Sequence, residues 1–237
     1  MKLRLIFLFA ISASLAWAQT AKTPADSNGA PAVPVLQIDA GQVTGNVSPT
    51  LYGLMTEEIN YSYEGGLYGE LVRNRSFMTN PNWPIYWQVV GNPSVVLDRN
   101  QPLNTALNVS LKMDASTASK NAPEGIANGG FWGIPVRRNT AYRASFYAKS
   151  DNFHGPLTVA LVSAWDGAII ASAKVPIVSS KWRKYAVRLK TKNVPTSRDN
   201  VFEIFTTTPG IVWFQEVSLF PPTFDNQPNG FRPDIME

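Results

Sequence analysis

Two adjacent carboxylates, Glu57 and Glu58, and the amide of Asn60 follow the apolar run Leu51–Met55 and stand just ahead of the glycine pair Gly65-Gly66. A carboxylate accepts hydrogen bonds from two neighbouring hydroxyls at once and can fix the orientation of a polyhydroxylated ring. Acids at the carboxyl end of an apolar strand also sit where parallel α/β folds hold their ligands. Three tryptophans, Trp132, Trp165 and Trp182, offer flat faces on which such a ring can stack, although a domain of this size also buries aromatics in its core. Other chemistries are closed off. The chain has no cysteine and a single histidine, His154. This excludes a thiol nucleophile and a histidine metal cluster, and it argues against a serine–histidine–acid triad. No closely spaced acids mark a calcium loop, and neither a metal nor an organic cofactor is expected.

The elements that must position these residues change character along the chain. Leu51, Tyr52, Leu54 and Met55 read as a strand. After the glycines, Leu67, Tyr68, Leu71, Val72 and Arg75 recur at helical spacing, which predicts a helix with one apolar face. No second strand–helix unit follows, and one alone cannot close a parallel sheet. Beyond Pro81, Pro84 and Pro93 the pattern turns to period two, clearest where Leu107, Val109, Leu111 and Met113 alternate with Asn108, Ser110 and Lys112. Similar runs fall at 130–136, 142–149, 157–163, 169–175, 184–189, 201–206 and 211–220, parted by turn signals such as Asp166-Gly167 and Thr208-Pro209-Gly210. Roughly eight or nine short strands with no helix between them predict a mainly β fold, an antiparallel jelly-roll sandwich.

The first eighteen residues have the form of a secretory signal: Lys2 and Arg4, the apolar run Leu5–Leu15, then Ala16-Trp17-Ala18. Cleavage after Ala18 is expected, giving a secreted or periplasmic protein with no membrane attachment. Removing Lys2 and Arg4 leaves 19 basic residues against 17 acidic ones, a balance that makes no electrostatic case for nucleic acid. Residues 19–34 read as a flexible leader. Pro221-Pro222 ends the sandwich, and Phe231–Glu237 has the proline and acids of a helix start. A helix that short cannot bury a face, so the chain is expected to be the N-terminal fragment of a longer protein.

The series Leu51-Tyr52-Gly53, Glu57-Glu58-Ile59-Asn60, Gly65-Gly66-Leu67-Tyr68 and Glu70–Phe77 resembles, in order and spacing, the front end of the α-L-arabinofuranosidases of glycoside hydrolase family 51. The resemblance implies the first strand and helix of a (β/α)8 barrel over 35–80. It implies an inserted galactose-binding-like sandwich, similar to a carbohydrate-binding module, over 81–222. A linker and the start of the next barrel helix would occupy 223–237. It also implies substrate binding by Glu57, with Glu58 and Asn60 beside it, and partners among arabinose-containing polysaccharides or oligosaccharides and a C-terminal barrel portion. Retaining cleavage needs two carboxyls about 5 Å apart across one sugar. Consecutive strand residues point to opposite faces, so Glu57 and Glu58 suit binding and no catalytic residue is assigned. Arg73 and Arg75 are expected either to meet acids of the barrel or to form surface ion pairs. The alternative reading is a non-catalytic carbohydrate-binding sandwich.

Overall fold

The computed structural model describes residues 36–50 and 57–236; the expected signal, leader and first strand lie outside the described residues. The chain divides into two units, Met1–Met55 and Thr56–Glu237. In the first, residues 36–50 are exposed and carry two turns, one at 40–41 closed by Gln42 N–H on Asp39 O at 3.2 Å and braced by Gly41 N–H on the Asp39 carboxylate at 2.9 Å, the other at 49–50.

The second unit is an antiparallel sandwich of two five-stranded sheets. One sheet runs β1 (Trp87–Val90), β4 (Glu124–Asn128), β9 (Asn200–Thr206), β6 (Leu157–Ser163), β7 (Ile169–Val175). The other runs β2 (Ser94–Asp98), β3 (Ser110–Asp114), β10 (Ile211–Phe220), β5 (Ala141–Asp151), β8 (Arg183–Lys190). Alternation does what it should. On β5, Tyr142, Ala144, Phe146 and Ala148 are buried between the sheets, while Arg143, Ser145, Tyr147 and Lys149 take the other face. Phe146, Phe202 and Phe214 are fully buried, each worth roughly 1.5–3 kcal/mol of transfer free energy.

Strands β6, β7 and β10 coincide with the expected runs. Three strands carry no alternation to betray them. β4 is buried at all five positions, and a side chain on its Gly125 would run into the carbonyl of Ile204 and into Phe205. β1 and β2 are short and lie among prolines and Gly91. Conversely, the strand expected over 130–136 is not formed, because Gly130 and Gly133 hold φ of +66° and +85° and turn the chain. In β10, residues Glu216 and Val217 oppose the single Phe146 in a bulge, with Glu216 at φ 50°.

The helix expected over Leu67–Arg75 is also absent. β3 flanks β10 only along Ile211–Phe214, and residues 71–75 occupy the edge that remains: Leu71 N–H donates to Leu219 O at 2.9 Å and Val217 N–H to Arg75 O at 3.0 Å. Backbone groups committed to a strand edge cannot also close helical turns. Leu71, Val72 and Phe77 join the hydrophobic core of the sandwich, so the sandwich begins well before residue 81. Its C-terminal continuation ends in the single-turn helix α1 (Pro233–Met236).

Candidate functional site

The segment 57–77 is held against the sandwich by buried polar side chains. Asn128, at the end of β4 and fully buried, accepts from Arg73 N–H at 3.2 Å and Gly130 N–H at 2.9 Å. Its amide donates to Arg73 O at 2.9 Å and Tyr86 O at 3.1 Å. One side chain thus pins three stretches of chain with every hydrogen-bonding position used. Glu70, 3% exposed, does the same on the other side. Its Oε1 accepts from Val72 N–H at 3.0 Å and Leu219 N–H at 2.8 Å, and its Oε2 accepts from the Ser218 hydroxyl at 2.5 Å. The Arg75 guanidinium lies 3.7 Å from Oε2 and pairs again with Glu216, which the bulge swings toward it. Burial pushes the Glu70 carboxyl pKa up; the three donors and Arg75 pull against it.

On this base stands an aromatic cluster around one cation. The Arg73 guanidinium lies 3.6 Å from the Tyr86 ring centre and 4.5 Å from that of Tyr61, and it donates to both phenolic oxygens. Tyr61 packs on Phe131 at 5.4 Å and on Trp132 at 5.7 Å. Gly65 lets the turn settle on Phe131, whose ring fills the place a side chain would take. Trp132 remains 58% exposed at the rim.

The expected binding residues lie on the loop that this cluster anchors. Glu57 is exposed, and its carboxylate has no protein partner among the described residues. Glu58 accepts from Glu64 N–H at 2.9 Å and so braces the turn, while Asn60 supplies a left-handed residue at φ 53°. Arg73 and Arg75 are engaged within this unit, one by aromatics and one by Glu70 and Glu216. The three tryptophans do not form one platform. Trp132 and Trp165 flank the start of β9, through Ile134 N–H to Asn200 O and Ala164 N–H to Asp199 O, both at 2.9 Å. Trp182 precedes β8 at the opposite end, where Arg183 pairs with Ala148. Trp165 is 93% exposed and Trp182 half-buried. Among the described residues no group of three or more potential ligands could hold a metal ion, and no helix is long and apolar enough to cross a membrane.

Tyr61, Tyr86 and Phe131 are the parts of this site that sequence reasoning misses. The one signal for them is the aromatic density of Trp83, Tyr86 and Trp87, which is common in any sandwich core.

No protein-family model matches the chain. It is 32% identical over 196 residues to a probable α-L-arabinofuranosidase A of Aspergillus flavus, covering 80% of this chain and 30% of that protein. It is 34% identical over 224 residues to α-L-arabinofuranosidase 1 of Arabidopsis thaliana, covering 87% of this chain and 32% of the relative. Among solved structures, an arabinose-bound family 51 α-L-arabinofuranosidase matches with a TM-score of 0.70 and 35% identity, over 78% of this chain and 31% of the other. A cyclase from a Fischerella species shares the fold alone, at TM-score 0.51 and 10% identity over 64% of this chain. Agreement of sequence and of fold, each over more than three quarters of the chain, shows that the chain belongs to the glycoside hydrolase family 51 α-L-arabinofuranosidases, and it spans about 30% of the length of the curated relatives it matches.

Proposed function

We propose that this chain serves a secreted, retaining α-L-arabinofuranosidase acting on terminal arabinofuranosyl units of plant cell-wall polysaccharides, and that its own part is to bind sugar rather than to break the glycosidic bond. The observation that carries this reading is the state of Glu57: an exposed carboxylate without a protein partner among the described residues, on a loop held through Tyr61 by the Arg73 cluster. Such a group is free to accept from two sugar hydroxyls, and the rigid loop lowers the ordering cost of doing so. Cleavage is a different matter. Glu58 is spent on the turn, and the carboxylates that meet at one point, Glu70 and Glu216, are tied to Arg75. The export signal ending at Ala18 is part of this proposal.

Calorimetric titration of the purified chain with arabinose and with arabino-oligosaccharides tests it, alongside turnover of a chromogenic α-L-arabinofuranoside. Measurable arabinose binding that is lost in Glu57→Gln, with no turnover, is the expected result. Binding unchanged in Glu57→Gln overturns the assignment of that carboxylate, and turnover by the chain alone overturns the division of labour. A second reading, a carbohydrate-binding sandwich with no enzymatic role, is favoured by the exposure of Trp165 and Trp132. It predicts retention on polysaccharide that survives Glu57→Gln and is lost in Trp165→Ala or Trp132→Ala.

A further inference from the structure

The outer face of the second sheet carries a cavity of about 450 Å³ whose cations, Arg143, Lys184 and Arg188, form no ion pair among the described residues. Pairing register builds it. Phe220, Arg143 and Arg188 form one cross-strand row on β10, β5 and β8; Ser218, Ser145 and Ala186 form the next; and Tyr147 with Lys184 follows. Side chains of one row stand on the same face about 5 Å apart, so the row of small residues is a trough between two rows of large ones. The strap 221–229 closes one side. It is held by Thr223 Oγ1 donating to Gln227 O at 2.7 Å within it and by Phe224 N–H donating to Phe231 O, just beyond it, at 2.9 Å.

Two features give the trough a ligand class. Arg143 and Arg188 face each other in direct register, an arrangement of like charges that costs stability in an antiparallel pair. Neither has an ion pair or hydrogen bond among the described residues, and Lys184 meets only the Tyr147 ring, at 5.8 Å. The Glu70 carboxylate beneath Ser218 is already matched by Arg75. The side-chain amides of Asn226, Gln227 and Asn229 on the strap are likewise unengaged. Guanidinium groups with free forks select a carboxylate, while serine hydroxyls and carboxamides suit neutral hydroxyls. The Phe220 ring and the prolines at 221 and 222 supply apolar wall, as a sugar ring requires.

We infer that this trough is a binding subsite for a carboxylate-bearing sugar, a uronate unit, with Arg143 and Arg188 on the carboxylate and the strap amides on the ring hydroxyls. The site is separate from the Glu57 loop and does not depend on it. A tetramer of galacturonic acid is the probe, titrated calorimetrically into the chain beside its methyl-esterified form, neutral arabino-oligosaccharide and a short polyglutamate. The expected result is binding of the free acid, weakened at least about tenfold by Arg143→Ala with Arg188→Ala and unaffected by Lys120→Ala with Lys192→Ala, which removes the same charge from exposed positions elsewhere. Thermal melting confirms that both double variants fold. Absence of binding overturns the inference. So does equal binding of the esterified probe, equal binding of polyglutamate, or the same loss in both double variants. Loss of arabinose binding in Glu57→Gln, with uronate binding intact, separates this subsite from the loop.

Discussion

Replacing Glu70 by alanine removes the acceptor for three donors at a site 3% exposed: Val72 N–H, Leu219 N–H and the Ser218 hydroxyl. Each buried donor left unsatisfied costs about 1–3 kcal/mol. Water entering the vacated space recovers part of that, and Arg75 keeps its pair with Glu216. The expected loss is about 3–5 kcal/mol, a large share of the ~5–15 kcal/mol that holds a domain together. Glu70→Gln leaves one oxygen for both backbone donors and should cost only about 1 kcal/mol. The pH dependence follows from burial raising the Glu70 pKa above 4.5. The fold favours the protonated acid, so the contribution of Glu70 is fully present below its unfolded value and is lost as pH rises through its folded value. The advantage of wild type over Glu70→Gln should therefore narrow as pH rises from about 4 to 7. Urea unfolding followed by tryptophan fluorescence, repeated across that range, reads both quantities. A Glu70→Ala variant within about 1 kcal/mol of wild type refutes the claim that this carboxylate clamps the segment 67–77 to β10. A gap that widens with pH refutes the argument from desolvation.

Gly133→Ala combines φ +85° with a Cβ directed at the Arg198 carbonyl. It should cost at least about 2 kcal/mol in the same urea experiment; a neutral outcome means the turn under Trp132 is not fixed by backbone conformation. Glu203, on the outer face of β9 between Ala127 and Ala160, has no hydrogen-bond partner among the described residues, and burial pushes its pKa up. Its charged form therefore weighs on the fold at neutral pH and is relieved in acid, so Glu203→Gln should raise the melting temperature at about pH 7 and leave it unchanged at about pH 3.5. Calorimetric scans at the two pH values decide it, and a gain in acid alone contradicts the sign.

The sandwich is legible in the sequence where strands have one wet face. β5, β8 and β9 alternate and are found; β4 is buried at every position and cannot announce itself by period. The segment 67–77 misleads for a physical reason. Leu67, Leu71 and Arg75 sit at helical spacing, yet spacing says nothing of the vacant edge of β10 that claims their backbone. Of the candidate site, Glu57 and its neighbours are read from the motif. The aromatic cluster depends on a contact between Tyr61 and Phe131, seventy positions apart, and no local pattern encodes it. Nor does residue type give location: the three tryptophans are divided between opposite ends of the fold.

The chain enters and leaves the sandwich at the same place. Tyr68 bridges Phe231, Gly69 N–H donates to Gly230 O at 3.0 Å, and Arg232 N–H donates to Leu67 O at 2.9 Å. Ends paired in this way stand about 5 Å apart, no farther than the two sides of a tight turn. A host polypeptide that accepts residues 69–230 between two of its own elements thus gives up one short loop, and closing that loop costs it almost no additional chain entropy. By the same geometry the module can be cut out and the host rejoined through a few residues. A graft of 69–230 into an exposed turn of an unrelated protein should leave both partners folding as they did apart.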